Sequence, residues 1–237
     1  MKQSAAIIGA GGGLGAALMR RFAAEGLHTI GLKRDPATLA KVVAEIQAAG
    51  AMAGAEALDA TQSAQVESML AQIEQRHGPL ALMVFNVAAL ARNSILDQPV
   101  QEFRDMLERV AVAGYASIQA ALRLMLVRKR GTILITGATA SIKGSAGFSA
   151  FAAAKHALRA IALSAAREFG PQGIHVAHVV VDGLIDGPRT DPTWLEGLGE
   201  DGALNPDALA SLFWNLHQQP RTAWTFEADV RPFRERW

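Results

Sequence analysis

Ala5-Ala-Ile-Ile-Gly-Ala-Gly-Gly-Gly-Leu-Gly15 is the stretch that decides the fold. A short apolar run, residues 5–9, leads straight into five glycines and then into an amphipathic stretch, residues 14–25. Glycines permit a tight turn and let a pyrophosphate approach the backbone. The N-terminus of the following helix supplies free amides and a partial positive charge. The general dinucleotide spacing would place Gly or Ala at Leu14, which does not fit; the spacing present is Gly9-x-x-x-Gly13-x-Gly15. A flexible loop can also be rich in glycine. Position between an N-terminal strand and a helix is what selects a nucleotide cradle, with Gly9, Gly13, Leu14 and Gly15 as its candidate residues.

Outward from this turn, short apolar runs alternate with longer amphipathic stretches. Strands are expected at 5–9, 28–32, 80–86, 132–136 and 175–181, with a further one at 52–58. Helical periodicity covers 14–25, 38–49, 64–77, 101–126 and 150–169. This alternation predicts an α/β fold, a doubly wound Rossmann-type parallel sheet with helices on both faces. Asn205-Pro206, a cap residue followed by proline at the first helical position, starts a helix that runs to residue 218. Trp224, Phe226, Ala228 and Val230 alternate and predict a last strand within 222–230. With no repeat, linker or low-complexity segment, residues 1–237 form a single domain, with a substrate loop and helix at about 186–218 and a C-terminal strand and tail at 219–237.

Half of the 237 residues are hydrophobic, enough for a sizeable core, and the formal charge is only +1. That balance gives no reason to expect nucleic acid or an anionic membrane as partner. The absence of cysteine excludes disulfides and thiolate chemistry. No apolar run is long enough to span a bilayer, and the first residues lack the regions of a signal peptide, so the expectation is a soluble cytoplasmic protein. No metal-ligand pattern stands out.

Leu32-Lys33-Arg34 ends the second expected strand. A carboxylate at that tip binds the ribose 2′-hydroxyl of NAD, whereas cations suit the 2′-phosphate of NADP. Lys33 and Arg34 therefore point to NADP(H) rather than NAD, although Asp35 follows at once and two surface charges beside a loop would look the same.

The Gly9, Gly13, Gly15 turn, Asp59 in Leu-Asp-Ala-Thr, Asn86 in Phe-Asn-Val-Ala-Ala, the Phe151/Lys155 helix and Asp182-Gly183 occur in a characteristic order. In that order and spacing the chain resembles the short-chain dehydrogenase/reductase family over nearly its whole length. The resemblance implies that the three glycines hold the pyrophosphate, that Asp59 receives the adenine amino group and that Asn86 lines the cleft with its backbone. It implies that Lys155 binds the nicotinamide ribose and that Gly183 passes beside the nicotinamide ring. It also implies a homodimer or homotetramer built on the helices at about 101–126 and 150–169, whose small-residue surface from Ala150 to Ala166 allows close approach.

The departures from the family pattern concern the chemistry. The family tyrosine four residues before the lysine is Phe151, the serine thirteen residues before that is Ala138, and the asparagine of the long helix is Ala111. The usual second asparagine is Val87, and the later threonine is Gly187. A tyrosine seven residues before the lysine, the enoyl-reductase spacing, is absent too, because that position is Phe148. The single tyrosine, Tyr115, lies on another segment and is expected to pack. Of the four catalytic positions only Lys155 is occupied as usual.

Ser141 and Ser145 are nearby hydroxyls, read as solvated loop serines unless the loop is rearranged. Asp182 is either a turn aspartate bonded to nearby amides or, in an apolar cleft, a carboxyl raised enough to act as an acid. His178 is expected in the core or an interface. Two functions remain open. One is an NADP(H)-binding oxidoreductase with a non-standard proton donor and a small carbonyl or imine-type substrate. The other is a cofactor-binding pseudoenzyme, a sensor or partner subunit.

Overall fold

The computed structural model describes residues 2–188 and 190–235. Seven strands form one sheet, β1 (Ser4–Ile8), β2 (His28–Lys33), β3 (Ala53–Ala57), β4 (Leu80–Phe85), β5 (Gly131–Thr136), β6 (Ile174–Val181) and β7 (Glu227–Val230). Their order is β3-β2-β1-β4-β5-β6-β7 and every pairing is parallel. The order reverses between β1 and β4. Parallel doubly wound sheets bind ligands in the crevice at that point, beyond the carboxyl ends of the strands.

Strand side chains alternate between two cores because the pleat has a period of two. Ala6 and Ile8 of β1, Met83 and Phe85 of β4, and Ile133 and Ile135 of β5 face one cluster. On that side lie α3 (Ser63–His77), α4 (Val100–Leu107), α5 (Ala113–Leu126) and α6 (Ser149–Phe169). Ala5, Ile7, Leu82, Val84 and Leu134 face the other cluster. That side is covered by α1 (Leu14–Ala24), α2 (Ala40–Ala48) and α8 (Pro206–Gln218). The expected sheet, with helices on both faces, is what the chain forms.

Most expected elements are present, including the short strand at 52–58, which is β3. The cap at Asn205 is also as expected, since its side chain accepts from the amides of Asp207 and Ala208. Three expectations need correction. The helix at 101–126 is two helices, α4 and α5, joined through a π turn at Glu108–Val112. The last strand covers only Glu227–Val230, and its burial does not alternate. Trp224 lies before it and stacks on His175 at a centroid distance of 4.9 Å. The substrate loop also contains a helix, α7 (Pro192–Leu198), begun by Asp191, whose carboxylate accepts from the Thr193 amide.

Part of the small-residue surface of α6 packs into its own core, while Ala153 and Ala157 are half-buried and Ala160 is exposed. Ala150, Ala154, Ala162 and Ala165 are buried in the core beside Leu158, which packs where Gly114 of α5 has no side chain. Trp214 of α8 packs against Phe22 at 6.1 Å, while Trp237 lies outside the described residues. Among the described residues no helix is long and apolar enough to cross a membrane.

Candidate active site

The glycine turn is packed to backbone tolerance. Gly9 has φ +86°, and a Cβ there would stand 2.8 Å from the Asn86 carbonyl carbon. A Cβ on Gly15 would stand 2.7 Å from Ala10 Cα. Asn86 closes the arrangement from β4, its Nδ2 donating to the Gly9 carbonyl at 3.1 Å and its amide to Ile8 at 2.8 Å. Gly11, by contrast, faces open space, and no hydrogen bond between described residues engages the amides of Gly11, Gly12 or Gly13. Uncommitted amides at a helix start suit a pyrophosphate, although a Cβ on Gly12 would stand 2.9 Å from Pro188 Cγ. Leu14 buries its side chain as the first residue of α1, so only its backbone faces this turn. Gly187 rests against Gly13 from the other side.

At the tip of β2, Lys33 Nζ donates to Thr38 Oγ1 at 2.6 Å, and Arg34 is exposed. The Asp35 carboxylate accepts from the Ala37 amide and caps the short turn that follows, so it is used locally. Asp59 accepts from the Thr61 amide at 3.0 Å and from its hydroxyl at 2.8 Å. Those bonds lower the Asp59 carboxyl below its ordinary range, and the fields of Arg34 and Arg109 add to the effect. The loop therefore carries Arg34 and Asp59 as neighbours beyond the ends of β2 and β3.

Lys155 is buried, 3% exposed, on α6. Its ammonium donates to the Thr136 carbonyl at the end of β5, 2.9 Å away, and stands 5.9 Å from the centre of the Phe151 ring. No carboxylate pairs with it among the described residues, and burial pulls its pKa down to about 8. Thr136 Oγ1 is buried beside this carbonyl without a partner. Ala111 is buried in the π turn, and Ala138 lies half-buried just past β5. Ala111, Ala138 and Phe151, where the resemblance expects asparagine, serine and tyrosine, thus carry no polar side-chain atom.

Asp182 and Ser141 depart from expectation. Asp182 is buried at the end of β6, with one oxygen accepting from the Thr139 hydroxyl and the other 3.3 Å from Arg231 Nη1. A carboxylate that accepts on both oxygens is arranged as an anchor, and the geometry does not favour the reading of a proton donor. Ser141 is fully buried, and its Oγ accepts from the Ala138 amide at 3.1 Å, while Ser145 is exposed as expected. Tyr115, expected to pack, is 54% exposed on α5. Gly183 sits against Pro232.

Sequence reasoning missed Thr139 and Arg231. Thr139 stands next to the missing serine, a signal within reach of the sequence. Arg231 follows β7, and only the sheet brings it to β6. His178 of β6 is buried with Nδ1 3.0 Å from Glu227, which Arg159 grips through two bonds of 2.6 and 2.8 Å. Burial holds His178 down to about 4 despite that carboxylate, so the ring is neutral at physiological pH. A depression of about 550 Å³ lined by Lys129, Arg221 and Trp224 lies at the opposite end of the sheet, away from all of these groups.

Residues 3–193 match the family described as short chain dehydrogenase. The chain belongs to that family. A short-chain dehydrogenase from Rhodopseudomonas palustris is 41% identical and superimposes with a TM-score of 0.86 over 98% of this chain and 99% of that one. A metagenomic short-chain oxidoreductase in complex with NADP is 25% identical, with a TM-score of 0.82 over 98% of this chain and 97% of that one. The 3-oxoacyl-[acyl-carrier-protein] reductase of Escherichia coli (strain K12) is 28% identical over 186 residues, 78% of this chain and 75% of the relative. The relatives this chain matches are named as oxidoreductases and reductases. Its own departures decide what remains at the reacting centre.

Proposed function

We propose that this protein is an NADP(H)-dependent oxidoreductase acting on a small carbonyl or imine-type substrate, with the Lys155 ammonium in the place of the usual tyrosine as proton donor. The observation that carries the reading is Lys155 itself, a buried cation with no carboxylate partner among the described residues, held by the Thr136 carbonyl and beside the Phe151 ring. An uncompensated buried charge weakens the fold, and such groups collect at functional sites. With no phenol between lysine and crevice, two ammonium protons remain for ligand oxygens. A pKa near 8 gives a proton that can be transferred near neutral pH.

The residues present fit a dinucleotide. The free amides of Gly11 to Gly13 suit its pyrophosphate, Asp59 its adenine, and Arg34 with Lys33 a 2′-phosphate. The NADP complex of the metagenomic relative supports that choice. When bound, the cofactor supplies hydride. The chain's own part is to orient the substrate, to exclude water and to move one proton at Lys155 Nζ.

A second reading, a cofactor-binding pseudoenzyme, is favoured by the apolar Ala111, Ala138 and Phe151. Fluorescence titration with NADPH and NADH, followed by a screen of carbonyl and imine compounds, separates the two. The oxidoreductase reading expects NADPH to bind more tightly and to be consumed. Tight NADPH binding without turnover on any substrate favours the pseudoenzyme, and absence of binding overturns both.

A further inference from the structure

Thr139, Asp182 and Arg231 form a polar cluster at the carboxyl ends of β5, β6 and β7, the edge of the sheet where the crevice lies. The cluster has a direction. Arg231 bridges Asp229, at 2.6 Å, and Asp182, at 3.3 Å. Asp182 in turn takes the hydroxyl proton of Thr139 in its second oxygen. A hydroxyl has one proton to donate and two lone pairs with which to accept. With its proton committed to a buried carboxylate, Thr139 can only accept from anything else.

Thr139 is half-buried, and it adjoins Ala138, which carries no hydroxyl of its own. Ser141 does not restore a donor there, because it is fully buried and bonded to the Ala138 amide. The turn after β5 therefore offers a substrate an acceptor. Lys155 supplies the donor from α6.

We propose that Thr139, oriented by Asp182 and Arg231, is a specificity-determining residue that accepts a hydrogen bond from a hydroxyl or N–H of the substrate, so that the substrate class is a carbonyl compound bearing a hydrogen-bond donor close to its carbonyl. This rests on the oxidoreductase reading above. Asp182 and Arg231 are positioning residues, acting through Thr139. The selection follows from polarity. A ketone oxygen facing Thr139 meets lone pairs, whereas a neighbouring hydroxyl meets an acceptor polarised by a carboxylate. A bond of that kind is worth about 1 kcal/mol, or roughly fivefold to tenfold in affinity.

The test uses the full-length protein saturated with NADPH and a matched pair of probes, 2-hydroxyacetophenone and acetophenone. Binding is read from the fluorescence of bound NADPH, and turnover from its consumption. The expected result is a preference of about fivefold to tenfold for the hydroxyketone. Thr139→Val should lose that preference, Thr139→Ser should keep it, and Asp182→Asn should weaken it, with NADPH affinity held in all three. Equal affinity for the two probes, binding of neither, or a preference that survives Thr139→Val overturns the proposal while NADPH binding leaves the oxidoreductase reading standing. Failure of the wild type to bind NADPH overturns that reading first. If Thr139→Val does not fold, the comparison between Thr139→Ser and Asp182→Asn still decides, because a purely structural hydroxyl predicts no difference between the probes in either.

Discussion

Phe151 and Lys155 show how one missing oxygen changes the work of its neighbour. In the pattern this chain resembles, a phenol stands beside the lysine; here the phenyl ring of Phe151 does, and the ammonium lies 5.9 Å from its centre. The pKa of Lys155, lowered to about 8 by burial, has two consequences with separate signs. For catalysis, a proton donor must be charged, so reduction should decline as pH rises through about 8 in a pH–rate profile. For stability, the unfolded chain binds the proton up to its ordinary value near 10.5 while the folded chain has released it. Stability from this group therefore rises with pH across that window. Lys155→Met should stabilise the protein without cofactor by at most about 3 kcal/mol at pH 7, read as a higher melting temperature, while abolishing turnover. A lower melting temperature would show that the lysine contributes to the fold. Restoring both hydroxyls, with Ala138→Ser and Phe151→Tyr together, should raise carbonyl reduction by up to ~10²-fold in steady-state assays. Unchanged kinetics in a well-folded double variant would show that more than those hydroxyls is missing.

At the scale of elements, the glycine turn and the α8 cap are the two junctions where local sequence has a calculable effect. Gly15 abuts the Ala10 backbone at 2.7 Å from any added Cβ, and backbone cannot yield as a side chain tip can. Gly15→Ala should weaken NADPH binding at least tenfold in the same titration and lower the unfolding midpoint; wild-type affinity would mean the turn has slack. Asn205 accepts from two amides at the start of α8, at 2.8 and 3.1 Å. Asn205→Ala should cost about 1 kcal/mol, a drop of roughly 2–4 °C in melting temperature for a chain of this size. The π turn at Glu108–Val112 places Ala111 in an irregular stretch of helix, and such turns recur at functional sites.

For the whole molecule, the buried histidines set the response to acid. Burial, the largest cause in each case, holds His178 and His217 down to about 4, and it lowers His175 as well. Between about pH 6.5 and 4 the unfolded chain takes up protons at these rings and the folded chain does not. The sign is that stability is present above the unfolded value and falls as pH drops through that window. The urea midpoint should be lower at pH 5 than at pH 7, and an unchanged midpoint would mean that these rings are more hydrated than their burial implies. Glu227 adds to the same direction further down. Its bonds from Arg159 are the largest cause of its lowered pKa, so its contribution is lost only as pH falls through that depressed value.

The sequence by itself determined the fold class, the order of strands and helices apart from the division of 101–126 into α4 and α5 and the presence of α7, the glycine-rich turn and the position of Lys155. These are local or periodic signals: strand-length apolar runs, helical periodicity, glycines where a turn demands them, and a lysine at fixed helical distance from Phe151. Against the resembled pattern it also exposed the changes at Ala111, Ala138 and Phe151, because a missing amide or hydroxyl is visible in one residue. Tertiary structure alone decided what fills the gap. Arg231 and Asp182 are 49 residues apart and meet only because β7 adds to the edge of β6. Thr139 becomes an acceptor only because Asp182 takes its proton. The break in the helix at 101–126, the burial of Ser141 and the exposure of Tyr115 likewise depend on packing against neighbours distant in the chain. Periodicity reports which face of an element is apolar; which residues from separate strands share an edge is decided by the strand order of the assembled sheet.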